Sequence, residues 1–514
     1  MVSANSLFSI WSETNNANWC VLFTLICAIF ALFRISRRSR SSPPLPPGPR
    51  GLPLVGNLLS LDPDLHSYLA GLAHTYGPIY KLRLGSKLCV LINSPSVARE
   101  VLQDHDVTFA NRDFTAAGGA PQLYGGTDMV CAPYGPEWRM FRKVCAVSML
   151  SKTHLDSVHE LRHKQLRKAA EYLYGRVGSP VNVGELVFLT MVDVTTGMLW
   201  GDTLEQEDVR AELRKVMSET SDIFGKPNIS DLFPGLARFD LQGTRKKMKR
   251  LERRYDGIFE RVIDQRLRME KQGAKESNDF LNFLLRLKDE GDDKTPFTMT
   301  NLKALLMNMA VGGGDTSTNT VEFAMAEIMN KPEMYEKAQQ ELETIVGKDS
   351  IVEESHLHKL PYLSAVMKET LRLHPALPLL LHHCPTETCT VGGYTIPKGC
   401  RVFINAWAIH RDPSNWENSL AFDPDRFLDS KYDYTGSDFN YLPFGSGRRI
   451  CPGEAMAERL VMHLLATLLH NFDWKMPQGD KLDLSEKFGF ALKKKVPLVA
   501  IPTPRLSNPQ LYKY

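Results

Sequence analysis

Cys451 sits in the run Phe444-Gly445-Ser446-Gly447-Arg448-Arg449-Ile450-Cys451-Pro452-Gly453, a sulfur ligand or nucleophile in a glycine-rich loop. Gly445, Gly447 and Gly453 allow tight turns and close backbone approach that a Cβ would block. Arg449, two residues before the sulfur, is placed to hold an anionic group of a bound cofactor. Apolar residues recur at helical spacing from Glu454 to His470, so the loop opens onto a helix N-terminus. That dipole end, like a metal, favours thiolate over thiol. The second constellation is Gly312-Gly313-Gly314-Asp315-Thr316-Ser317, inside a helical pattern from Asn301 to Asn330 with Thr300 a candidate N-cap and Pro332 a stop. Three glycines cost a helix roughly 3 kcal/mol relative to Ala. A purely structural helix has no reason to accept that. Glycines do permit a flat surface and a local opening of the hydrogen-bond ladder, while Asp315 and Thr316 set an acid beside an alcohol.

Other spacings carry less by themselves. Trp138 and Arg142 are four apart and share a helical face; a solvated basic helix with one buried Trp would look the same. Glu369 and Arg372 are three apart in a helix from Leu360 to His374, a common surface pair worth little alone. His382-His383 invites a metal-site reading, but adjacent residues of an extended chain point opposite ways, so a dihistidine site is not expected. The basic run Arg245 to Arg254 reads as a solvated helix face.

Taken together, the pattern Phe-x-x-Gly-x-Arg-x-Cys-x-Gly resembles the haem-ligand loop of the cytochrome P450 monooxygenases, in which the thiolate binds the haem iron. The glycine-acid-threonine stretch resembles that family's proton-relay motif, and Trp138 with Arg142 its W-x-x-x-R haem-propionate contact. Glu369, Arg372 and Arg426, the last in Pro424-Asp425-Arg426-Phe427, resemble the family's buried triad, implying roles in folding and haem retention. The resemblance implies a mainly α fold with small β-sheets and haem b (iron protoporphyrin IX) on Cys451. It also implies Phe444, Gly447, Arg449 and Gly453 around the cofactor, and His383 near a propionate. Four motifs stand in family order between the N-terminal anchor and Pro504. The irregular segment from Val107 to Pro136 would then lie over the haem, and Phe488-Gly489-Phe490 would form the last substrate-lining loop. The C-terminal third is most similar to the plant microsomal family 706. Three positions depart from the usual pattern: His382 where Pro is common, Gly314 where Thr is commoner, and Pro452 where Ala is. Pro452 has no N–H to offer the sulfur, which suggests a more electron-donating thiolate.

The 514 residues, 43% hydrophobic, can bury a large core, and a net charge of +3 gives no support to nucleic-acid binding. Nine scattered cysteines without a C-x-x-C read as a reduced-compartment pattern. Trp19 to Phe33 is an apolar run, somewhat short against the roughly 20 residues of a membrane span. Arginines follow it and no Lys or Arg precedes it, so an uncleaved anchor is expected with its downstream side cytosolic. The expected organisation is a short lumenal segment (1–18), an anchor (19–33), a basic and Pro-rich hinge (34–50) and a cytosolic catalytic domain (51–514) on the endoplasmic reticulum membrane. The sequon at Asn228 should therefore stay unglycosylated.

The chain has no nicotinamide or flavin fingerprint: Gly312 to Gly314 follows no strand. Electrons must then come from a partner, and the resemblance implies NADPH through a separate reductase. The expected reaction hydroxylates a small hydrophobic plant metabolite with O₂. By resemblance, sesquiterpene hydroxylation ranks first and flavonoid hydroxylation second. Aldoxime dehydration on the same fold is third, and a non-catalytic haem binder or sensor last.

Overall fold

Helix α1 (Leu65–Tyr76) and the hairpin β1 (Ile79–Leu84) and β2 (Lys87–Ile92) open the regular structure of the computed structural model. It describes residues 43–113, 123–201, 207–273, 279–290, 296–430, 432–478 and 481–514; the expected anchor at 19–33 lies outside them. The longer elements that follow are α2 (Pro136–Val144), α3 (His159–Tyr174), β3 (Val181–Asn182), α4 (Val183–Trp200), α5 (Glu207–Phe224), α6 (Thr244–Lys271), α7 (Phe280–Asp289), α8 (Met299–Met329), α9 (Pro332–Ile345) and α10 (Pro361–Leu373). Then come β4 (Cys389–Val391), β5 (Tyr394–Ile396), β6 (Arg401–Ile404), α11 (Glu454–Asn471), β7 (Phe472–Lys475), β8 (Glu486–Lys487), β9 (Lys493–Lys494) and β10 (Val499–Pro504). Strand orders are β1-β2-β6, β3-β10-β7, β4-β5 and β8-β9. The fold is mainly α with small sheets.

Helix α8 is the axis of the core. It is buried along most of its length, its polar residues Asn308, Asn319, Glu322 and Glu327 included. Helices α4, α10 and α11 pack around it. Its start differs from expectation: Thr298, not Thr300, is the N-cap. Thr298 Oγ1 accepts the Asn301 N–H (3.2 Å) while Asn301 Oδ1 accepts the Thr298 N–H (2.9 Å), a reciprocal box that needs its partner three residues on. Pro332 starts α9 rather than merely ending α8. The triple glycine does not open the ladder, and the helix runs unbroken through it. Thr316, Thr318 and Thr320 instead donate their hydroxyls back to the carbonyls four residues earlier, at 2.8, 2.9 and 3.0 Å.

Strand β2 pairs antiparallel with β1 (Ile79 opposite Ile92) and parallel with β6 (Cys89 opposite Arg401). Part of the Pro-rich stretch is tied to these sheets: the Lys81 N–H donates to Pro47 O (2.7 Å) and the Thr395 N–H to Pro44 O (2.9 Å). Helix α4 is long and apolar enough to cross a membrane, yet it is mostly buried against the core. In α6 the cations from Arg245 to Arg253 are exposed, while Arg254 pairs with Glu212 (2.5 Å) and Glu219 (2.7 Å) of α5. The Asn228 sequon residue is buried and caps a short helix.

Thr298→Ala should weaken the first turn of α8 by about 1 kcal/mol. Faster hydrogen exchange at residues 299–303 would show it; unchanged exchange would contradict the cap assignment.

Candidate active site

The Cys451 loop is shaped by its glycines. Gly445 and Gly447 have φ of 74° and 69°, in the left-handed region that L side chains avoid. A Cβ on Gly447 would lie 2.2 Å from the Leu102 carbonyl oxygen. The Cys451 N–H donates to Phe444 O (3.0 Å), closing the loop, and the Phe444 ring stands edge-on to Tyr434 at 5.4 Å. Cys451 Sγ accepts the Gly453 N–H at 3.3 Å. The sulfur is therefore not as bare as Pro452 suggested, because the turn brings the next residue's amide back onto it. Burial pushes the thiol pKa up, with the Gly453 N–H and Arg142 pulling it down. Metal coordination takes the thiolate form and so supplies the ionisation that burial resists.

Behind the loop lies a buried ion-pair network. Arg372 and Glu369 are both fully buried and meet at 2.6 Å (Nε–Oε2) and 2.8 Å (Nη2–Oε1). The remaining Arg372 donors reach the carbonyls of His410 and Ser419 (each 2.7 Å) and Ala421 (3.0 Å). Arg426 joins at 3.2 Å and the Asp423 N–H at 2.8 Å, both on Glu369 Oε1. Such a pair tolerates burial only when its donors and acceptors are satisfied this fully. The network reaches the loop through His410. Its Nε2 accepts the Leu442 N–H (2.8 Å) and its Nδ1 donates to Arg372 O (3.2 Å). Burial and the Arg372 charge lower its pKa to about 3, so the ring is neutral. Leu442 stands two residues before Phe444.

Three guanidiniums converge beside the loop. Arg449 donates to Ala110 O (2.6 Å), Met129 O (3.1 Å) and Ala132 O (2.6 Å) and lies 4.5 Å over the Trp138 ring. Arg142 donates to Ile450 O (2.6 Å), next to the cysteine, and Trp138 Nε1 to Met129 O (3.0 Å). The third, Arg112, was not found from sequence. It donates to Leu381 O (2.6 Å) and His382 O (2.8 Å), and its buried Nε has no hydrogen-bond partner. Burial and the nearby Arg449 lower its pKa to about 9. Its only sequence signal was a cation between Phe109 and Phe114 in a segment without periodicity. Among the described residues no carboxylate forms an ion pair with any of the three. His383 Nδ1 bonds to Phe109 O (2.9 Å), while the His382 ring lies 5.8 Å from Phe403. His383 pairs with Val402 as an isolated bridge, so the two imidazoles diverge as an extended chain requires.

On α8, Gly312 is exposed within an otherwise buried stretch, and a Cβ there would meet nothing within 4 Å. This is the open face that Thr316 shares, four residues on. Gly314 gives its space to neighbours: a Cβ there would lie 3.1 Å from Met217 Cε and 3.5 Å from Phe188 Cε2. Asp315 turns aside and pairs with Lys493 Nζ at 3.2 Å.

The sequence model of the cytochrome P450 family matches residues 46–500. The chain belongs to the cytochrome P450 family. A flavonoid 3'-monooxygenase of Crocosmia x crocosmiiflora is 40% identical over 89% of this chain and 92% of its own length. One from Arabidopsis thaliana is 41% identical over 90% and 91%, and a carnosic acid synthase of Salvia pomifera 40% over 88% and 92%. A zebra fish cytochrome P450 structure matches with a TM-score of 0.71 at 24% identity, covering 86% of this chain and 99% of that one; it supports the fold. This P450 is thus a monooxygenase that uses haem and electrons from a reductase. The residues present fit the cofactor. A half-buried cysteine at the loop suits the iron, and clustered guanidiniums that pair with no carboxylate among the described residues suit the propionates.

Gly447→Ala should cost more than about 1 kcal/mol from backbone strain alone, with the Leu102 clash added. The fraction of purified protein carrying haem should fall; wild-type haem content would contradict the loop geometry.

Proposed function

We propose that this P450 hydroxylates a flavonoid. The observation that carries the reading is 40–41% identity, over about nine-tenths of both chains, to flavonoid 3'-monooxygenases. This favours the flavonoid alternative over the sesquiterpene reading that the sequence put first. A terpenoid substrate remains the second reading because of the carnosic acid synthases. The monooxygenase assignment sets aside aldoxime dehydration and a non-catalytic binder.

Hydroxylation converts R–H and O₂, with a pair of electrons and a pair of protons, into R–OH and water. Haem, when bound, supplies the iron at which O₂ is reduced and made reactive toward carbon. Cys451 Sγ would hold the iron as a thiolate, with Phe444, Gly447 and Gly453 shaping the loop. Arg112, Arg142 and Arg449, with Trp138 and His383 beside them, would bind and orient the propionates. Glu369, Arg372 and Arg426 would hold the loop from behind. Thr316 would present its hydroxyl on the open face, and Asp315 would restore its proton from solvent. The reductase would be an NADPH-cytochrome P450 reductase. Residues 19–33 would span the endoplasmic reticulum membrane once, with 1–18 lumenal, 34–50 a hinge and 51–514 cytosolic.

Microsomes carrying this chain and a plant reductase, given the flavone apigenin and a sesquiterpene, should yield ring-hydroxylated flavone only with NADPH. Hydroxylated terpenoid as the sole product would overturn the flavonoid reading. In Thr316→Ala, product per NADPH should fall about tenfold as hydrogen peroxide rises; retained coupling would count against the proton relay.

A further inference from the structure

The β8–β9 hairpin touches both the end of α5 and Asp315 of α8. Its strands pair Glu486 with Lys494 and Lys487 with Lys493, and Phe488-Gly489-Phe490 lies in the connection between them. The connection is closely fitted to the end of α5: Phe490 packs on Phe224, and a Cβ on Gly225 would lie 2.6 Å from the Phe490 backbone nitrogen.

The first strand is fixed. The Glu486 carboxylate is met by His374 Nδ1 (2.6 Å), Trp407 Nε1 (2.9 Å), His66 Nε2 (3.1 Å) and Arg411 Nη2 (3.2 Å). His374 also reaches Glu327 of α8 at 2.8 Å. Burial raises the Glu486 pKa, but the His374, His66 and Arg411 contacts outweigh it and hold the carboxyl well below the usual range. On the second strand Lys494 is buried and donates to Asp483 O.

Lys493 is the exception. Its side chain is 39% exposed, while the Asp315 carboxylate it pairs with is only 8% exposed. A pair with one partner this wet adds little stability, and for the same reason it opens and closes at little cost. A carboxylate held by an ammonium is oriented toward it; to reach Thr316 it must leave that partner. The ammonium is carried on the hairpin whose connection packs on the end of α5 through Phe490.

We propose that Lys493 is a positioning residue for proton delivery, holding Asp315 until substrate pressing on Phe490 shifts the hairpin and loosens the pair. The proposal rests on the relay assignment of Asp315 and Thr316 above and on the expectation that Phe488 to Phe490 line the substrate. Substrate binding and proton supply are thereby linked through one short hairpin.

The test uses full-length protein in microsomes with reductase, comparing wild type, Lys493→Met, Lys493→Gln, Lys493→Arg and Asp315→Asn. The substrate is apigenin or, failing that, the terpenoid the wild type converts. In wild type, substrate should lower hydrogen peroxide per NADPH. In the Met and Gln variants that response should shrink by about threefold, as expected of a half-exposed pair, and Lys493→Arg should restore it. A second readout needs no turnover: substrate should speed hydrogen exchange at residues 486–494 in wild type and leave it unchanged in Lys493→Met. A full substrate response in both readouts with Met or Gln at 493 overturns the proposal. Normal coupling in Asp315→Asn would instead overturn the relay assignment, a separate failure.

Discussion

A negative sulfur in a protein interior is the constraint on which this structure turns. Cys451 is buried enough that its thiol pKa is raised, so the thiolate an iron needs has to be stabilised by what surrounds it. The chain supplies one amide from Gly453 at 3.3 Å and the nearby Arg142. Neither would stay in place in a mobile loop. Gly447 seats the loop against Leu102, and the neutral His410 bridges it to the Glu369–Arg372 pair. That pair is fully buried and saturated with partners. It makes the loop's position a property of the core.

The same logic explains the uneven use of charge. Glu369 is saturated with donors, whereas Arg112, Arg142 and Arg449 lean on backbone carbonyls rather than carboxylates. Saturation gives rigidity, and carbonyl-only contacts leave positive charge available to an anionic cofactor. On α8 the exposed Gly312 lets the helix backbone border the open face, while Thr316 bonds to its carbonyl.

Much of this was legible in sequence because it is local. The Cys451 loop, the α8 motif and the Glu369/Arg372 spacing lie within single segments, and the helical periods of α8, α10 and α11 survive burial. Long-range contacts were not legible. Arg112 lies in a segment without periodicity and becomes significant only beside Arg449, more than three hundred positions away. Lys493 meets Asp315 across 178 positions. The N-cap was misplaced at Thr300 because several Thr and Asn residues stand together, and only the reciprocal bond with Asn301 separates Thr298 from them. The glycine run suggested an opened ladder, but the threonine hydroxyls bond back along an unbroken helix. The order of substrate classes was not legible either, because what favours the flavonoid alternative is similarity spread over the whole chain rather than any one motif.

The central claim is that Cys451 is the axial thiolate. The carbonyl difference spectrum of reduced Cys451→Ser, recorded on protein that retains haem, tests it most directly. The account predicts loss of the thiolate-type band with the fold intact by circular dichroism. A thiolate-type band in that variant would mean another residue ligates the iron, and the reading of this loop would be wrong.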